Sequence, residues 1–254
     1  METCSLLTPP TLNAGIRTCR GVYNFSPAMA KNQKIIADVF KVRSIPELFW
    51  TSEKTYTLLP KPVSFVMLVI GLAMFGLGEA LLIAAGVGVS PWTVLAQGVS
   101  KILGWSIGTS TFVISSFVLF LWFPMRQKPG LGTVLNIIIV ALVLDLSVPY
   151  LPKFESGTLR IFAATAGVFI TGFGGAIYLI ANLGPGPRDG LMTGLQQITN
   201  LPIAWVRGCI EVTAVTFGWL LGGVVGIGTL LFAFGIGPAL ATSILILRRL
   251  FSKD

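Results

Sequence analysis

Histidine is missing altogether from this sequence, and charge is scarce in it. With no histidine, and with three cysteines (Cys4, Cys19, Cys209) that show no C-x-x-C spacing, almost no conventional transition-metal ligands remain, so neither a metal nor a cofactor is expected. The same lack removes the commonest general base. No phosphate-cradling loop or nucleophile elbow compensates for it, which argues against an enzyme. Charged residues occupy 11% of the 254 positions, whereas a soluble domain carries charge on about a quarter. The formal net charge is +8, but Lys and Arg are not clustered as a nucleic-acid surface requires, so nucleic acid is not an expected partner.

What is abundant is apolar. Hydrophobic residues make up 54% of the chain and mean hydropathy is +0.83. Residues 1–62 carry scattered charge, proline and serine without any run approaching the roughly 20 residues that a span needs. The extension is expected to be cytoplasmic and either poorly ordered, as a mobile tail, or interfacial, with IADVFKVRSIPELFW forming a short amphipathic helix at headgroup level whose apolar contacts are Phe40, Ile45, Leu48, Phe49 and Trp50. From Val63 onward six apolar runs follow, beginning VSFVMLVIGL, IGTSTFVISS, LGTVLNIIIV, LRIFAATAGV, PIAWVRGCIE and IGTLLFAFGI, each long enough for a helical span. Lys54, Lys61, Arg126, Lys128, Arg188, Arg248, Arg249 and Lys253 fall on one side of such a six-span arrangement. Lys101, Lys153 and Arg160 fall on the other. The bias puts both termini in the cytoplasm, and the first span is expected to serve as an uncleaved targeting signal.

The chain also repeats itself. Sliding it by 96 positions without gaps superposes Gly71 on Gly167, Gly78 on Gly174, Gly88 on Gly184, Pro91 on Pro187 and Gly98 on Gly194. It also superposes Gly130, Gly132 and Thr133 on Gly226, Gly228 and Thr229. There are 16 identities between residues 71–135 and 167–231, against about six expected from so Gly- and Leu-rich a composition. Each half reads as a span, a Gly-x-x-Pro break, a short segment, a second span, a G-[LI]-G-T start and a third span. Three spans is an odd number, so the halves are expected to cross the bilayer in opposite directions. The predicted fold is all-α: six transmembrane helices in two inverted-topology repeats of three, at 63–150 and 159–249, each with a short broken, re-entrant or interfacial segment.

The two breaks are GVGVSPWTVL and NLGPGPRDGL. Pro91 and Pro187 suit a first helical position, and Ser90 suits an N-cap. In the second break Gly184 and Gly186 allow a turn, and the helix start with Arg188 suits an anionic group. Asp189 at the same terminus either shares the site or satisfies the helix end. Arg207 and Glu211 lie at i and i+4 within the fifth span, where pairing with each other is the conservative reading. Glu79 in the first span and Asp145 in the third lack a sequence-local partner, and such acids are candidates for proton or cation coupling. Gly218, Gly222 and Gly226 form a small-residue series suited to helix packing, and Trp92, Trp105 and Trp205 suit interfacial anchoring.

The strings GVGVSPWTVL, GPGPRDGLM, VRGCIEVTAVTFGWLLGG and GIGTLLFAFGIGP resemble hallmark segments of the bacterial YczE/YyaS/YitT membrane protein family, particularly its YczE-like branch. The resemblance covers about Pro62 to Arg249 and implies a multi-pass protein of the bacterial cytoplasmic membrane, without implying a substrate. Residues 1–62 depart from the pattern, since members enter their first span earlier. The leading functional expectation is a small-solute transporter for an anionic or zwitterionic solute, proton coupling falling to Glu211 or Glu79. Its site would draw on Arg188, Asp189, Gly184, Gly186, Arg207, Glu211 and Glu79. The rival expectation is a non-transporting scaffold or regulatory partner of another protein.

Overall fold

The computed structural model describes residues 46–57 and 59–251, and every regular element among them is helical. In chain order these are α1 (Pro62–Ala85), α2 (Pro91–Leu103), α3 (Ile107–Phe120), α4 (Leu131–Ser147, continued by a 3₁₀ turn at Val148–Tyr150), α5 (Gly157–Ala181), α6 (Pro187–Thr199), α7 (Ile203–Leu220) and α8 (Ile227–Phe251). Five of them, α1, α4, α5, α7 and α8, are long and apolar enough to cross a membrane. The sixth expected span, α3, has only 14 residues, about 21 Å against a hydrocarbon core of about 30 Å. It follows α2 at a bend of 114°, so the two together form a sixth candidate crossing or a re-entrant pair.

Backbone conformation repeats along with sequence. The described residues with left-handed φ are Gly86, Gly88, Gly104, Arg126, Asn182, Gly184, Asn200 and Gly222. They fall into four pairs exactly one repeat length apart: Gly86 with Asn182, Gly88 with Gly184, Gly104 with Asn200, and Arg126 with Gly222. Gly86, Asn182, Gly104 and Asn200 close α1, α5, α2 and α6, as residues tolerating this conformation do at helix ends. Pro91 and Pro187 open α2 and α6 at the position where a missing N–H costs nothing.

The two halves interlock around α1 and α5. A methyl group added at Gly71 would sit 2.8 Å from the Gly174 carbonyl oxygen, and one at Gly78 would sit 2.6 Å from that of Gly167. Each of these α1 glycines thus packs on the α5 counterpart of the other, letting the helices touch along their backbones. The starts of α4 and α8 are exchanged in the same way. Gly132 donates its N–H to Leu183 in the second break (2.7 Å), and Gly228 donates to Val87 in the first (2.8 Å). The G-[LI]-G-T signature is therefore the strap by which each half holds the break of the other.

Three expectations are revised. Leu48 and Trp50 do not lie on an interfacial helix: both are buried in the core against α1, α5 and α8, and residues 46–50 are not helical. Phe40 and Ile45 lie outside the described residues. Gly218, Gly222 and Gly226 do not share a helix face, because α7 ends at Leu220. Gly218 packs on the backbone of Val94 and Leu95, Gly222 forms the left-handed turn, and Gly226 meets Val87. Trp92 is not an interfacial anchor, for it lines a cavity between helices, while Trp105 and Trp205 are exposed.

Candidate functional site

A cavity of about 110 Å³ lies where the starts of the short helices α2 and α6 meet. Pro91 and Trp92 of α2, and Gly186, Pro187, Arg188 and Asp189 of α6, line it together with residues of α1, α4, α5, α7 and α8. Arg188 and Trp92 are equivalent positions of the two repeats, and they meet here. The Arg188 guanidinium carbon lies 5.9 Å from the Trp92 ring centroid and 5.4 Å from that of Phe75 on α1. These aromatic faces hold the cation without neutralising it. Among the described residues Arg188 has no carboxylate within 4.0 Å and makes no hydrogen bond. The buried indole N–H of Trp92 likewise lacks an acceptor. An unpaired cation thus stands at the cavity wall, beside an indole N–H that has no acceptor.

Asp189 is held differently. Its Oδ2 accepts from the Tyr178 hydroxyl at 2.8 Å, which ties the first turn of α6 to α5. Beneath that turn Trp122, buried at the end of α3, donates its indole N–H to the Pro187 carbonyl at 3.0 Å, and its ring fills the space a side chain at Gly190 would need. Gly186 is the N-cap of α6 and lines the cavity, crowded by Asp189 and Tyr178. Gly184 lies on neither of the cavities described here. Its φ of 118° and its packing on Gly130, 2.8 Å from where a methyl would sit, make it the turn that aims α6.

Arg207 and Glu211 are paired at 2.9 Å on α7, and both line the same cavity. Glu79 lies apart from them. It is fully buried, and its Oε2 accepts from Ser90 Oγ and Thr93 Oγ1, each at 2.7 Å. Ser90 stands at the N-cap position of α2, but its hydroxyl is spent on this carboxylate rather than on capping the helix. Glu79 walls a second cavity of about 20 Å³, which shares Trp92, Asn136, Pro187 and Arg188 with the larger one. Asp145 is no part of either. It accepts from Gly108 N and Ser106 Oγ, both at 2.7 Å, and so caps the start of α3.

Tyr178, Phe75 and Trp122 carried no signal in the sequence, being ordinary members of apolar runs, whereas the polar Asn136 within the third span could have been singled out. Ser90 and Thr93 could have been linked to Glu79 only by knowing that the chain folds back at Gly86.

Residues 63–244 match DUF6198, described as a family of unknown function. An uncharacterized protein of Haemophilus influenzae is 41% identical over 210 residues, covering 83% of this chain and 95% of its own. The uncharacterized membrane protein YczE of Bacillus subtilis is 31% identical over 68% of this chain and 82% of its own. The uncharacterized protein YyaS of Bacillus subtilis is 28% identical over 64% of this chain and 83% of its own. No solved structure matches the chain significantly.

Proposed function

The chain belongs to the YczE/YyaS family of multi-pass membrane proteins, matched as DUF6198, and on that premise we propose that it carries a small anionic or zwitterionic solute across the bacterial inner membrane. The observation that carries this reading is the unneutralised Arg188, stacked between Phe75 and Trp92 where two broken helices begin. Helix starts present unpaired N–H groups and the positive end of the helix dipole. Two of them with a guanidinium and an indole N–H make a setting in which a carboxylate, sulfonate or phosphate replaces lost hydration. The Tyr178–Asp189 and Arg207–Glu211 pairs on the same cavity can receive the cationic end of a zwitterion.

We read the halves as inverted repeats, with both termini cytoplasmic and α6 and α2 opening toward opposite sides. The four pairs of left-handed residues and the exchanged straps at Gly132 and Gly228 support this reading. A site on the pseudo-two-fold axis between repeats is what alternating access by rocking requires. Uptake and export of carboxylates, sulfonates, phosphates and amino acids by proteoliposomes, with and without a pH gradient, tests the proposal. Flux of one class above protein-free liposomes, lost in Arg188→Gln, is the expected result. No flux of any class under either gradient would refute it.

A further inference from the structure

We infer that Glu79 is the anionic ligand of a sodium site, formed where α1 meets the start of α2 and adjoining the solute cavity. The coupling such a site provides rests on the transport reading above, but the site itself does not. Glu79 is 1% exposed. Its Oε2 takes both hydroxyl donors, from Ser90 and Thr93, while its Oε1 is buried without a partner among the described residues. Buried carboxylate oxygens are rarely left so, and each such case asks for a missing ligand. The adjoining cavity of about 20 Å³ has room for about one water-sized particle.

The chemistry of the walls selects the ion. Besides Glu79, the residues lining the cavity include Thr93, Thr111, Ser115 and Asn136, so the available donors are hard oxygens. The single carboxylate balances a single charge, where calcium sites commonly gather several. Thr93, which lines the cavity, can rotate its hydroxyl away from Oε2 and turn a lone pair toward a cation, leaving Ser90 on the carboxylate. A one-water space favours the smaller alkali ion.

Charge at this wall comes from one other residue. The side chains that α2, α3 and α4 bring to the cavity are uncharged, Asp145 of α4 is engaged at the start of α3, and α6 contributes Arg188. A sodium ion at Glu79 and the Arg188 guanidinium therefore repel across a shared boundary. An anion on Arg188 relieves that repulsion, so anion and sodium raise each other's affinity by the same factor.

The test is the melting temperature of the purified full-length protein, titrated with sodium against potassium and choline salts of one anion at constant ionic strength. A saturable, sodium-selective rise is expected, lost in Glu79→Gln and reached at about tenfold lower sodium in Arg188→Gln. Should Glu79→Gln fail to fold, Thr93→Val keeps the carboxylate and is expected to weaken sodium several-fold. No sodium-selective rise in the parent, a rise that survives Glu79→Gln, or a response to pH alone would overturn the site. Since no solute is needed, a sodium shift in a protein without flux upholds the site against the transport reading, and sodium-independent flux without a shift does the reverse.

Discussion

The Tyr178 hydroxyl donates to Asp189 at 2.8 Å, fastening the start of the short helix α6 to the long helix that precedes it. The bond makes Asp189 a structural anchor as well as a wall of the cavity. Asp189→Asn keeps an acceptor and is expected to leave abundance near parental. Asp189→Ala orphans the buried hydroxyl and is expected to cost about 1 to 3 kcal/mol. Thermal unfolding in detergent distinguishes the two, and equal melting temperatures would remove the anchoring role.

Arg188→Gln removes the charge but retains a polar side chain near Phe75 and Trp92. Once a solute is found, its affinity is expected to fall roughly ten- to a hundredfold, the worth of a charged hydrogen bond of about 1.5 to 3 kcal/mol. Arg188→Lys is expected to recover only part of it, because an ammonium lacks the planar face that stacks on the rings. Parental affinity in Arg188→Gln would take this residue out of the site.

The pair on α7 calls for a double-variant experiment. Arg207→Leu leaves the Glu211 charge without its partner on the cavity wall and is expected to lower membrane abundance. Arg207→Leu with Glu211→Leu is expected to recover part of it, since breaking such a pair costs more than replacing it. Parental abundance in both variants would show the two charges to be solvated, consistent with the partial exposure of their side chains.

Topology can be read from the connections rather than from the breaks, because Ser90 and Gly186 are buried and poorly placed for labelling. Lys128 and Val224 are exposed and one repeat length apart. Cysteines at these positions, in a background lacking Cys4, Cys19 and Cys209, are expected to label from opposite sides, Lys128 from the cytoplasm. Labelling from the same side would contradict the inverted repeat.

Close backbone contact between α1 and α5 makes a further prediction. Gly78→Val inserts a branched side chain against the backbone of Gly167 and Thr171, and overpacking of this kind costs about 1 to 3 kcal/mol. Gly157→Val, where a side chain meets nothing within 4 Å, is the control and is expected to be silent. Melting temperatures of the two variants check the contrast.

Solvent and local chain geometry were decided by the sequence. Scarce charge and long apolar runs demand a bilayer, and positions 96 residues apart that the sequence aligns include four pairs of described residues with left-handed backbone. Proline and glycine at the breaks foretold where α2 and α6 begin, because their φ preferences act within a few residues. Tertiary structure alone decided which side chains face one another. That Arg188 stacks on the residue one repeat before it, that Glu79 is met by hydroxyls from within the first break, and that Asp145 caps a helix follow from how separate helices pack against one another. In an almost uniformly apolar chain no hydrophobic pattern separates a lipid face from an internal one. The close fit of glycine backbones makes that choice, and it exists only once the two halves have met.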